Sequence, residues 1–125
     1  MINPHGFDED SPIFMQVANT ISEEILRGVY NEGDQIASTN EFAAFYKINP
    51  ATANKGINLL VDKEILFKRR GIGMFVAEGA RTRLLTARKA SFNDSQLREF
   101  VKTARAIGIP LTELQDRIAQ EYEND

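Results

Sequence analysis

The stretch Ile48 to Leu60, INPATANKGINLL, constrains the fold more than any other. Proline lacks an N–H and has a fixed φ, so within a helix it is tolerated only in the first turn. A helix running through the apolar residues downstream must therefore start at Pro50, with Asn49 as its cap. At about 100° per residue, Ala53, Gly56, Ile57, Leu60 and Val61 fall on one side. Ala51, Thr52, Asn54, Lys55 and Asn58 fall on the other. The apolar side begins with small residues and ends with large ones. Gly56 costs about 1 kcal/mol against Ala in a helix interior. A second helix crossing closely over Gly56 accounts for that cost.

The flanking segments supply candidate partners. Ser11 and Pro12 open an apolar series at helical spacing, Ile13, Phe14, Val17, Ala18, Ile21 and Ile25, which stops at Gly28. Ser11 is expected as the N-cap and Pro12 as the first helical residue. Asn31 to Gln35 reads as a turn, and Ile36-Ala37 as one short strand. Ser38 then caps a short helix, with Glu41 completing a capping box. Phe42, Ala43 and either Phe45 or Tyr46 face inward from it. After the INPATANKGINLL helix, Ile65–Arg70 and Met74–Ala77 suit strands, with Gly71-Ile72-Gly73 as a tight reversal. The order to residue 77 is helix, short helix, helix, hairpin.

Charge is unevenly distributed. The net value is −3, yet residues 35–90 hold 10 bases and 4 acids, net +6, between acidic flanks. A short helix, a tight link at Lys47-Ile48-Asn49, and a helix with a polar outer face form the helix-turn-helix order. In that motif the N-terminal residues of the second helix reach base edges in the major groove. Here these are Asn49, Ala51, Thr52, Asn54 and Lys55. Asn pairs with adenine, Thr with phosphate or base, and the Ala methyl with a thymine methyl. The helix N-terminus is expected to offer free N–H groups to a phosphate. Lys68, Arg69 and Arg70 then flank the duplex from a hairpin wing.

Other function classes find little support. The chain has no cysteine and one histidine, His5, expected to be solvent-exposed in a loose N-terminus of residues 1–10. No metal-ligand cluster, phosphate-binding glycine loop or nucleophile constellation stands out, so neither enzyme nor cofactor is expected. No apolar run is long enough to span a membrane and the opening residues lack a secretory pattern. A cytoplasmic location is the expectation.

Residues 79–125 read as helical again, interrupted near Ser91–Ser95. Gly108 and Pro110 end the first helix. Thr112 with Gln115 resembles a capping box for the last one. Two helices with apolar stripes cannot bury them alone. Pairing with another chain makes Leu85, Phe92, Phe100, Ile107 and Leu114 candidate dimerisation residues; the alternative is that the two helices pack back on the first domain. The expected organisation is a flexible 1–10, a DNA-binding 11–78 and a dimerisation segment 79–125.

Two stretches sharpen this. SPIFMQVANTISEEILRGVYNEGDQIAS and INPATANKGINLLVDKEILFKRRGIGMFV, with Asn-Pro-x-Thr and Arg-Gly-x-Gly-x-Phe-Val, resemble the GntR family of bacterial winged-helix transcription regulators. Residues 11–78 carry the resemblance, and ARAIGIPLTEL fits the short two-helix tail of its small YtrA-like subfamily. The resemblance implies a mostly α fold with a small β-hairpin. It also implies a homodimeric repressor on an inverted-repeat operator of double-stranded DNA. Ala51, Thr52, Asn54 and Lys55 would read the major groove, and Arg70 and Gly71 the minor groove. At the start of the short helix the family has Pro-Ser-x-Arg, its Arg on DNA. This chain has Ala37-Ser38-Thr39-Asn40, which makes Ser38, Thr39 and Asn40 the corresponding DNA-facing residues. Asn40 keeps hydrogen-bonding ability but not the charge. Glu64 stands where the family often has Gly, and a left-handed conformation there would strain it by about 1–3 kcal/mol. Residues 79–125 are too few to enclose a typical metabolite cavity of ~300–1,000 Å³. A small-molecule effector would need a site shared across the dimer. The competing expectation is a winged helix used for protein–protein contact without specific DNA binding.

Overall fold

The computed structural model describes residues 11–124. The expectations for residues 1–10, His5 included, lie outside the described residues. The elements are α1 (Ile13–Leu26), α2 (Thr39–Tyr46), α3 (Pro50–Asp62), β1 (Leu66–Arg69), β2 (Gly73–Val76), α4 (Ala80–Ser91), a π-helical turn (Phe92–Leu97), α5 (Arg98–Ala106) and α6 (Leu111–Glu123). The fold is mostly α with one antiparallel hairpin, as expected. It divides into two compact units, one reaching Leu85 and the other starting at Thr86.

The first unit is built around α3. Asn49 caps it and Pro50 opens it, and Ala53, Gly56, Ile57 and Leu60 are buried. α1 lies across that face with Val17, Ala18, Ile21 and Ile25. A Cβ on Gly56 would sit 2.5 Å from the Phe14 carbonyl oxygen and 2.7 Å from Val17 Cβ. Real Cβ atoms do not approach backbone this closely, so the crossing admits only glycine. α2 adds Phe42 and Ala43 from its capping-box start. Tyr46 packs partly against the core and Phe45 is left 75% exposed.

Two expectations near the start shift. α1 begins at Ile13, with Pro12 in the cap position accepting from the amides of Met15 and Gln16. Ser11 contributes only its carbonyl, which accepts from Gln16 Nε2 at 2.7 Å. Ile36-Ala37 is not a strand. One bridge joins Gln35 to Phe75, and the Ile36 amide donates to Met74 O. Pairing stops there because the Ala37 amide donates to the Tyr30 hydroxyl and the chain turns into the Ser38 cap.

Among the described residues, two non-glycine residues are left-handed, Lys47 (φ 56°) between α2 and α3 and Glu64 (φ 62°) after α3. Arg83 braces the second. Its Nη1 donates to the Glu64 carbonyl at 2.9 Å and to the Glu78 carbonyl at 2.8 Å. The Glu64 carboxylate lies 3.8 Å from the guanidinium but is largely exposed, so that ion pair contributes little. A second tie joins the start of α4 to the end of α1. Glu32 accepts from the Gly79 and Arg81 amides at 2.9 and 3.2 Å, and Arg81 Nη1 donates to Leu26 O at 2.5 Å. The Gly79 amide is the main reason the Glu32 carboxyl titrates below its ordinary range. Ala80 and Leu84 are buried in this same core.

In the second unit, the expected interruption at Ser91–Ser95 is no break. The helical chain continues through the π-helical turn, one residue wider per hydrogen bond. Ser95 Oγ donates to the Ser91 carbonyl there. The expected Thr112 capping box is absent. α6 starts at Leu111 with Pro110 in the cap position, so Thr112 already lies inside the first turn. Among the described residues of this unit, only Ala104 is buried.

Gly56→Ala should lower stability by about 2–3 kcal/mol although Ala is the better helix former. Denaturant melts check this, and a neutral or stabilising result would mean that α1 and α3 separate without cost. The Glu32 carboxyl titrates lower in the folded chain than its ordinary 4.5. Its stabilisation is therefore full above that pH and is lost as pH falls through the folded value. In thermal melts Glu32→Gln should be less stable than wild type at neutral pH, with the gap closing on acidification.

Candidate nucleic-acid interface

The candidate interface is the solvent face of α2–α3 together with the hairpin. α3 packs on β1 as well as on α1 and α2, so the hairpin is anchored to the helix it flanks. With Ala53, Gly56 and Ile57 turned inward, Ala51, Asn54, Lys55 and Asn58 are exposed and Thr52 is half-buried. Periodicity alone placed these residues correctly. Lys55 has a partner that periodicity did not suggest. Its Nζ stands 4.1 Å from the centroid of the Phe14 ring, on α1. Moving the ammonium from this ring to another partner costs about 0.5–1 kcal/mol.

The caps restrict what the N-termini offer. Asn49 Oδ1 accepts from the Ala51 amide at 2.7 Å, and the Asn49 carbonyl accepts from the Thr52 and Ala53 amides. The expected free N–H groups for a phosphate are thus already engaged within the first turn of α3. At α2, Ser38 Oγ accepts from the Glu41 amide and Glu41 Oε1 accepts from the Ser38 amide. The Ser38 backbone amide, followed by its side chain, holds the Glu41 carboxyl below its ordinary range. Ser38 and Asn40 are exposed and Thr39 is half-buried. Asn40, which stands where the resembled motif has Arg, lies in solvent next to the ionised Glu41.

On the wing, the register pairs Lys68 with Met74 and Arg69 with Gly73. Strand alternation splits the run of three bases. Arg69 shares a face with Phe67 and lies 5.2 Å from the centroid of Phe75. Phe67 and Phe75 stack across the strands at 5.7 Å. Lys68 points to the opposite face. Arg70, Gly71 and Ile72 form the exposed tip. Sequence reasoning missed Gln35, whose Nε2 donates to the Ile72 carbonyl at 3.0 Å. Nothing local marks that contact, since the two residues are 37 positions apart.

Among the described residues, no group of His, Cys, Asp and Glu could hold a metal ion, and no helix is long and apolar enough to cross a membrane.

Comparison with known proteins agrees with this architecture. Residues 15–76 match the family model described as bacterial regulatory proteins, gntR family. The chain is similar to the HTH-type transcriptional repressor YtrA of Bacillus subtilis, 28% identical over 110 residues, spanning 88% of this chain and 84% of that one. It is also similar to the HTH-type transcriptional regulator YhcF of the same organism, 30% identical over 112 residues, 90% of this chain and 91% of YhcF. Among solved structures, a GntR-family regulator from Bacteroides thetaiotaomicron superposes with a TM-score of 0.78 at 29% identity, covering 90% of this chain and 97% of that one. The chain belongs to the gntR family of bacterial regulatory proteins, among the small members that resemble YtrA.

Proposed function

We propose that this protein is a cytoplasmic, sequence-specific DNA-binding transcription regulator that represses as a homodimer on an inverted-repeat operator. The observation that carries it is α3. It is held by a glycine-tight crossing on one face, and it leaves Ala51, Asn54 and Lys55 in solvent on the other. In this reading the N-terminal half of α3 enters the major groove, with Asn54 and Thr52 supplying hydrogen bonds and Ala51 apolar contact. Lys55 exchanges the Phe14 ring for a phosphate. Arg70 and Gly71 approach the minor groove from the wing tip. Lys68 and Arg69 neutralise backbone charge to either side, and Ser38, Thr39 and Asn40 face the flanking phosphates at the start of α2. Asn49 acts mainly as the cap that keeps α3 in register.

The second unit supplies the dimer. Phe92, Phe100 and Ile107 are 50%, 47% and 70% exposed. A helical segment with so little core gains stability by burying that stripe against a second copy. The half-buried Leu114 extends the same set, whereas Leu85 is the last residue of the first unit. Two heads joined in this way match a two-fold operator.

Binding to the DNA upstream of the protein's own gene, measured across a salt series, tests the reading. Affinity should fall with salt by roughly one log–log unit per phosphate neutralised. Lys55→Ala and Arg70→Ala should each weaken operator binding by about 1–2 kcal/mol. Arg70→Ala should leave the melting curve unchanged, and Lys55→Ala should lower stability by no more than its contact with Phe14 contributes, about 0.5–1 kcal/mol. Absence of any preference over random DNA would refute the proposal in favour of a protein-contact role. Truncation after Leu85, which keeps the buried Ala80 and Leu84, should give a folded monomer with much weaker operator affinity. A truncated chain that sediments as a dimer would place the interface elsewhere.

A further inference from the structure

We propose that Gln35 is the positioning residue for the wing, a side-chain tether from the turn before α2 that holds the hairpin tip in the shape that meets DNA. The proposal rests on the DNA-binding role argued above.

Three observations converge on Gln35. Its Nε2 donates to the Ile72 carbonyl at 3.0 Å. Among the described residues this is the one side-chain hydrogen bond from outside the hairpin to the tip residues 70–72. Its backbone is bridged to Phe75, and the Ile36 amide donates to Met74 O, so the base of the tether is itself clamped to β2. Gly73 leaves the room that the tether fills. A Cβ there would stand 2.6 Å from Gln35 Nε2, and its φ of 147° already disfavours a side chain.

The tip needs such a tie. Beyond the strand pairing that ends at Arg69 and Gly73, the turn itself is closed by the Ile72 amide donating to the Arg69 carbonyl at 2.9 Å. Ile72 is 60% exposed, and nothing lies within 4 Å of where a Cβ on Gly71 would be. A two-stranded hairpin with a solvated tip is mobile unless something outside it holds it. Fixing the Ile72 carbonyl also fixes the path of Arg70-Gly71, so Arg70 reaches its target without first losing conformational freedom. Gln35 thus acts on DNA through Arg70, not by touching it.

Gln35 is exposed, so Gln35→Leu, which keeps the bulk and removes the donor, should fold normally. Two measurements follow. In the DNA-free protein, amide exchange of Gly71–Gly73 should speed up relative to wild type, while α3 amides stay unchanged. On an operator preferred by the wild type, affinity should drop about fivefold, the size of one lost neutral hydrogen bond. The loss should fall on base pairs under the wing and spare discrimination under α3. Gln35→Leu combined with Arg70→Ala should cost less than the product of the single effects. Gln35→Asn, too short to reach Ile72, should repeat the result if the Leu variant melts early. Unchanged wing exchange, or effects that multiply with Arg70→Ala, would overturn the proposal while leaving DNA binding intact. A wild type without operator preference would instead remove the DNA-binding role, and the exchange result would still decide whether the tether exists.

Discussion

The rest of the structure depends on the contact between α1 and α3 at Gly56. With no Cβ there, the Phe14 carbonyl and Val17 settle directly onto the helix backbone. The close approach seals Ala53 and Ile57 beneath α1, both with no measurable exposure. A glycine in a helix interior costs about 1 kcal/mol, which the packing of Val17, Ile21 and Ile57 offsets several-fold at about 25 cal/mol per Å² of apolar surface buried. The crossing also orients the outer face. It rotates Ala51, Asn54 and Lys55 into solvent and brings Phe14 under Lys55. One missing methyl group thus connects core packing to the surface that carries the proposed function.

Around this centre, side chains distant in sequence fix the connections. Glu32 and Arg81 join the start of α4 to the end of α1. Arg83 holds the Glu64 carbonyl, where a residue with a Cβ adopts the left-handed conformation at a cost of about 1–3 kcal/mol. Gln35 reaches the wing tip. These ties sit where local backbone preference is weak or adverse, at a strained turn, a helix start and a solvated reversal. The second unit shows the opposite state. It has helical continuity through a π-helical turn, but almost nothing is buried among its described residues.

Much of the fold was legible because the signals were local. Asn49-Pro50 sets the start of α3, Ser38 and Glu41 form the capping box, and 3.6-residue spacing separates buried from exposed residues on α3. Where local signals competed, boundaries moved. Pro12 took the cap position expected of Ser11, and Pro110 displaced the cap expected at Thr112. The short strand at Ile36-Ala37 failed because the Tyr30 hydroxyl and the Ser38 cap claimed its hydrogen bonds. The free amides expected at the start of α3 were consumed by Asn49, the residue chosen to cap it.

The sequence by itself determined which residues lie inside, where α2 and α3 begin, and where positive charge concentrates. These follow from periodicity, caps and composition, all of them properties of neighbours along the chain. Only the tertiary structure decided that Lys55 rests on Phe14, that strand alternation separates Arg69 from Lys68, and that Gln35 and Arg83 hold the wing tip and the Glu64 turn. The contacts of Gln35 and Arg83 join positions 37 and 19 residues apart, and that of Lys55 reaches a different helix. They exist only once the glycine crossing and the β1–β2 register have placed the elements side by side.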